Sequence, residues 1–257
     1  MKRTVILEKE KVNLKNPVLI EGLPGLGLVG KIVVEYLARQ LKAKKIAELY
    51  SPHFPYYAVV DGRGSIRLPR LTFYGLTNEI GDNDLILLTG DSQAQTVEGQ
   101  YEVADEILNF AVNKQARIVI TIGGYRKEDV ETPQVFVSST NLELLNRALD
   151  AGAKETSIGN PIVGTAGLLI GLGKFRGIEG LCLLAETSGY LPDPKAAKSI
   201  LNVLKRLLNF SADLSGLDRE IRKAIEIEEK MRRLDEQRRI STRVRQRLEE
   251  EKITYIS

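Results

Sequence analysis

At 257 residues, with 43% hydrophobic and 28% charged content, the chain is long enough to bury roughly 70–75% of its unfolded surface in one large domain, and it is not a disordered sequence. Lys plus Arg number 37 against 34 for Asp plus Glu, a net charge of +3, which is too small a surplus to hold a polyanion, so no nucleic-acid partner is expected. No stretch approaches the ~18 continuous apolar residues of a membrane span, so no membrane is expected either, and the composition reads as cytoplasmic.

In chain order, short β-branched runs alternate with longer helical patterns from about residue 17 to 210, the signature of βαβ units and a mostly parallel sheet covered by helices on both faces. The predicted strands are Val18–Ile20, Lys45–Tyr50, Asp84–Thr89, Ala116–Ile122 and Gly180–Ala185. Between the second and third, Tyr57–Arg67 and Arg70–Gly75 read as an antiparallel hairpin within the sheet layer, with Gly62 and Gly64 in its turn. Helices are predicted over Val29–Leu41, Val97–Asn113, Asn141–Ala151 and Pro194–Leu208. In the last of these Ile200, Leu201, Leu204, Leu207 and Leu208 share one face, and Asp193 precedes Pro194 as an N-cap before a first-turn proline. Cys182, the single cysteine, falls in an apolar run where a small buried hydrophobe is expected.

From Ser215 to Lys252 the composition changes: there is no Pro and no Gly after Gly216, charges of both signs are dense, and apolar residues form a thin seam through Leu217, Ile221, Ala224, Met231, Leu234, Val244 and Leu248. A continuous helix over this stretch would run roughly 57 Å at 1.5 Å per residue. Such a helix is laced by i,i+4 ion pairs and either lies on its own domain or projects toward a partner or sister subunit. Three parts are therefore expected: an αβα domain over 1–212, a charged helical segment over 213–252, and a hydrophobic tail over 253–257.

The most prominent local motif is Glu21-Gly-Leu-Pro-Gly-Leu-Gly-Leu-Val-Gly-Lys31, a glycine-rich turn between a strand and a helix. Gly25, Gly27 and Gly30 match a dinucleotide fingerprint, with Glu48 as the candidate acidic ribose ligand, so a nucleotide-binding enzyme using residues 22–31 is one reading. The same stretch matches a phosphate loop except that Ile32 stands where Ser or Thr would hold magnesium. The third reading follows from Leu23, Leu26, Leu28 and Val29: a loop this apolar suits close packing on protein better than contact with pyrophosphate. His53 is the only histidine, flanked by Pro52, Phe54 and Pro55, which argues against a His-rich metal site or a Ser-His-Asp triad and for a packed loop. Asp91-Ser-Gln and Gly123-Gly-Tyr occupy strand ends where open αβ sheets place ligands; the other reading is tight turns with capping side chains.

The Glu21–Gly30 run, Gly90-Asp-Ser-Gln, Gly123-Gly-Tyr, Gly164–Gly173 and above all Ala185-Glu-Thr-Ser-Gly-Tyr-Leu-Pro-Asp-Pro194 together resemble the archaeal branch of the proteasome-assembly-chaperone family over roughly residues 15–210. The resemblance implies a three-layer αβα domain similar to that of purine nucleoside phosphorylases but without their active site. It also implies a non-catalytic, ATP-independent homo-oligomer needing no cofactor, whose partners are itself and core proteasome α-subunits or another small assembly protein. Family members that engage the proteasome end in a hydrophobic residue, a penultimate tyrosine and a final residue, which enter pockets between α-subunits. Here Tyr255 is third from the end and Ile256 penultimate. That one-residue displacement, about 3.3–3.6 Å of extended chain, predicts either a retuned docking peptide or a different partner. The expected partner-binding residues are Ile253, Tyr255, Ile256 and Ser257; the other reading folds them back onto the subunit.

Overall fold

The computed structural model describes residues 1–230 apart from residues 63, 158, 228 and 229. The chain divides into two units, Met1–Leu214 and Ser215–Ser257, two residues later than the boundary read from composition. In the second unit residues 215–227 are helical; the remainder of the helix predicted to Lys252, and the tail residues 253–257, lie outside the described residues.

The first unit is built on a nine-stranded sheet. In chain order its elements begin with β1 (Val5–Glu8), β2 (Val18–Glu21), α1 (Val29–Gln40), β3 (Lys44–Tyr50), β4 (Val59–Val60), β5 (Ile66–Arg67), β6 (Leu71–Leu76) and β7 (Leu85–Gly90). They continue with α2 (Val97–Asn113), β8 (Ile118–Arg126), β9 (Val135–Ser139), α3 (Leu142–Asp150), β10 (Lys154–Glu155), α4 (Thr165–Lys174), β11 (Glu179–Thr187) and α5 (Pro194–Leu208). The sheet order is β1-β3-β6-β7-β2-β8-β11-β9-β10, with β4 and β5 forming a separate two-stranded sheet.

Strands β7, β2, β8 and β11 are parallel neighbours and each carries a continuous run of at least four buried residues. That burial is why they read as continuous apolar runs and not as alternating ones. Leu19, Ile86, Leu88 and Val119 point to a core shared with α2 and α4; their sequence neighbours point to the opposite face, where α1 and α5 pack. The helices start where the capping residues dictate. Thr96 accepts the Gly99 N–H, Asn141 the Leu144 N–H and Asp193 the Ala196 N–H.

Two expectations are corrected. The sheet is mixed and not mostly parallel, because β1–β3–β6–β7 run antiparallel to one another and β9 runs antiparallel to β11. The links over residues 77–84 and 127–134 are shorter than the dozen or so residues a parallel crossover needs. The predicted hairpin also splits in two. Its glycine turn closes only the detached β4–β5 pair, while β6, with Leu71 and Phe73 wholly buried, is drawn into the main sheet between β3 and β7. Strands β1, β9 and β10 and helix α4 were not predicted: the strands are short and lie at or next to the sheet's two edges, and α4 is glycine-rich.

Asp193 holds the start of α5 from both carboxylate oxygens, accepting from Ala196 N at 2.9 Å and from Thr187 Oγ1 at 2.8 Å. Asp193→Ala is expected to lower unfolding free energy by about 1–2 kcal/mol, read as a lower denaturant midpoint with an unchanged m value.

Candidate interaction surface at the carboxyl end of the sheet

Because β2, β7, β8 and β11 are parallel, their carboxyl ends lie along one edge, and the loops over 22–28, 91–96, 127–134 and 188–193 leave from it. The end of β3 and the start of β6 lie at the same edge, since Leu71 pairs with Gly90 and with Leu49. This is where an open αβ sheet ordinarily binds ligands.

The glycine-rich loop does not present a phosphate cradle. Four of its backbone donors are used within the protein: Gly22 N bonds Leu88 O at 2.9 Å, Leu23 N bonds Glu21 Oε1 at 3.1 Å, Gly27 N bonds Gly189 O at 3.4 Å and Leu28 N bonds Gly25 O at 3.0 Å. Asp193 N returns a bond to Gly27 O at 2.8 Å, so the loop is stitched to the segment entering α5. The glycines serve close approach. A Cβ on Gly22 would stand 2.1 Å from Gly30 O, and one on Gly30 would stand 2.5 Å from Ile122 O, so only bare backbone lets α1 cross β2 and β8 here. Leu28 adopts a left-handed φ of 50° at the turn into α1, a strained conformation for a branched apolar residue. Gly124 is covered in turn, since a Cβ there would meet Leu26 O at 2.7 Å.

The other tempting residues are equally engaged. Glu48, the candidate ribose ligand, is 4% exposed and ringed by Arg70 at 2.6 Å, Lys45 at 3.0 Å and Lys9 at 3.2 Å. Burial pushes its carboxyl upward, but Lys45, Lys9 and Arg70 outweigh that and hold it below the ordinary carboxylate range. Asp91 takes a forked ion pair from Arg67 at 2.5 and 3.0 Å plus the Arg70 N–H at 3.0 Å. These bonds overcome its own burial and lower its pKa. One histidine proves sufficient for an acid–imidazole–hydroxyl line, because His53 Nε2 lies 3.2 Å from Glu102 Oε2 and Nδ1 lies 3.2 Å from Thr96 Oγ1. That line is a clasp. Thr96 Oγ1 caps α2, Glu102 Oε1 also accepts the Thr4 N–H, and the imidazole packs on Gly99, tying the N-terminal strand and the post-β3 loop to α2. Gln93 performs the same service between loops, donating to Pro24 O at 2.8 Å and accepting from Thr165 N at 3.2 Å.

With its polar groups paired internally, this edge exposes apolar side chains. Arg67 is anchored to Asp91, so its partner on β4, Val59, shares the anchored side of the hairpin, while the cross-strand pair Val60 and Ile66 faces outward at 65% and 72% exposure. Leu68, Tyr56 and Tyr57 extend this surface from the hairpin's two roots, and Val97 and Tyr101 lie on the first turns of α2. Leu26 and Val163 are exposed on neighbouring loops, and Tyr190 is held over the Arg126 guanidinium, 4.7 Å from ring centroid to Cζ. Apolar side chains gathered in this way mark protein contact surfaces. No helix among the described residues is long and apolar enough to cross a membrane.

One group at this edge was not singled out in the sequence. Glu21 ends the otherwise apolar β2 at 2% exposure, and its Oε2 has no hydrogen-bond partner among the described residues. Desolvation raises its pKa to about 8, with the Leu23 and Ile122 N–H groups drawing it only partway back. Beside it on the same face, Thr121 Oγ1 is also buried without an oxygen or nitrogen partner, and burial pushes the adjoining Cys182 thiol up to about 12.

A PAC2 family model matches residues 19–235. An uncharacterised protein of Methanocaldococcus jannaschii is 33% identical over 225 residues, 87% of this chain and 86% of its own. Among solved structures, Pyrococcus furiosus PbaB, an archaeal proteasome activator, superposes with a TM-score of 0.85 at 37% identity, covering 90% of this chain and all of PbaB. Pyrococcus furiosus PbaA, an archaeal homolog of proteasome-assembly chaperone, gives 0.75 at 28% identity over 99% of this chain and all of PbaA.

Between pH 4.5 and about 8 the folded protein keeps the Glu21 proton that the unfolded chain has released. The contribution of this group is therefore complete below pH 4.5, falls by about 1.4 kcal/mol per pH unit through that window, and is lost above it. Subtracting the stability–pH curve of Glu21→Gln from that of the wild type is expected to isolate this slope, with the variant the more stable of the two at pH 8.

Proposed function

This chain belongs to the PAC2 family, and from that premise we propose that it is a non-catalytic assembly factor that binds core proteasome subunits. On this reading its αβα domain is a phosphorylase-type module used for binding, its apolar edge joins copies of the chain into a homo-oligomer, and Ile253, Tyr255, Ile256 and Ser257 form the peptide that engages proteasome α-subunits. The observation that carries the reading is the combination at one sheet edge of internally consumed polar groups and outward-facing apolar ones. A surface whose donors are spent binds by burying area. Each of Val60, Ile66 and Tyr56 has about 1.5–3 kcal/mol to gain on full burial. The same pairing argues against the nucleotide reading, because four of the loop's N–H groups already bond Leu88, Glu21, Gly189 and Gly25.

A second reading is an adaptor in which Tyr255 and Ile256 serve a small assembly protein other than the proteasome. Binding of the purified core particle to immobilised full-length protein distinguishes them. A version ending at Lys252 is expected to bind at least tenfold more weakly, and Tyr255→Ala to account for most of the loss, as an aromatic anchor does. Equal binding by the full and shortened chains overturns the role of the tail. No binding by either overturns the proteasome reading in favour of the adaptor.

The self-association part is tested separately by sedimentation. Val60→Asp with Ile66→Asp, placed on the free side of the hairpin, is expected to shift the protein to a smaller species while leaving its melting temperature within a few degrees. Millimolar NAD or ATP is expected to produce no shift in that melting temperature.

A further inference from the structure

The glycine-rich loop is rooted on a carboxyl group that has no counter-charge. Glu21 Oε1 accepts the Leu23 N–H at 3.1 Å, which fixes the first residue pair of the loop, while Oε2 faces the interior without a partner. Its register neighbours are Leu88 on β7 and Thr121 on β8, and Thr121 is in turn opposite Cys182 on β11. The helices covering this face offer no charge: α2 turns Val103, Ala104, Ile107, Leu108 and Ala111 inward, and α4 turns Leu169 inward. The amides of Gln93 and Gln100 and the Thr165 hydroxyl, the polar groups above it, are bonded to one another and to backbone carbonyls. Among the described residues, the buried Cys182 thiol feels the Glu21 charge. No Lys, Arg or His among the described residues pairs with it.

A neutral carboxylic acid is accommodated by this setting, because it has no charge to desolvate. A carboxylate is not accommodated, because an unpaired buried charge costs several kcal/mol and moves toward water if the backbone lets it. The exit lies through the loop itself. Gly25 is exposed with open space around it, Leu28 is in a strained left-handed conformation, and the outer part of the loop is held by the long 3.4 Å bond from Gly27 N to Gly189 O.

We infer that Glu21 is a proton-controlled lock on the Gly22–Leu28 loop: protonated, it holds the loop against the segment 187–193 with Leu26 seated over Gly124, and deprotonated, it releases the loop and alters the apolar edge. The consequence for partner binding rests on the function proposed above; the lock itself does not, and its test uses the isolated full chain.

The chain contains no tryptophan, and Gly25 has an extended φ of −157° with nothing within 4 Å of an added Cβ, so Gly25→Trp places a unique fluorophore on the loop. Its emission is expected to change in one step centred near pH 8, and the double variant with Glu21→Gln to give a flat profile from pH 6 to 10. Combining Gly25→Trp with Thr121→Val, which removes the one neighbouring hydroxyl, is expected to move the step to higher pH. The same step in the Glu21→Gln background, no step in Gly25→Trp alone, or no movement with Thr121→Val overturns the lock. None of these outcomes bears on core-particle binding, which has its own test.

Discussion

The contact on which the rest of this molecule depends is the backbone-to-backbone crossing of Gly22, Gly30 and Ile122, where the absence of two β-carbons lets helix α1 sit directly on strands β2 and β8. That approach forces the loop between them to be short and tightly folded. It brings Gly27 within reach of Gly189 and Asp193 and so fixes the start of α5. A glycine pattern that elsewhere admits a pyrophosphate here admits the protein's own backbone, and the difference lies in where the N–H groups point and not in the spacing of the glycines.

Two buried glutamates show how completely environment sets chemistry. Glu48 and Glu21 are both almost inaccessible, yet three cations around Glu48 hold it ionised, whereas Glu21 meets backbone N–H groups but no cation and keeps its proton. The first fastens β3 to the residues flanking β1 and β6 as a permanent tie; the second leaves a conditional one beneath the loop. Arg67 and Asp91 add the third tie, which posts the β4–β5 hairpin with its free side outward. Together they turn a sheet edge that could have been a ligand pocket into an apolar rim with little unspent hydrogen-bonding capacity, consistent with a family in which proteasome-related proteins recur.

By itself the sequence determined the periodic elements. The buried runs of β2, β7, β8 and β11 and the capped faces of α2, α3 and α5 were legible because local apolar period and capping residues act within a few positions of one another. The motif set from Glu21 to Pro194 was likewise enough to point to the family. The antiparallel parts of the sheet, the splitting of the hairpin, and the outer strands β1, β9 and β10 were decided only in the tertiary structure, since strand direction depends on which segments meet across long separations and not on their composition. The candidate site divides the same way. The loop at 22–28 announced itself through its glycines, but that four of its donors are spent on the protein itself, that Glu48 is caged by cations drawn from three separate segments, and that Glu21 stands without one are facts of three-dimensional proximity. Hydrogen bonds and ion pairs between residues tens of positions apart leave no periodic trace in the chain.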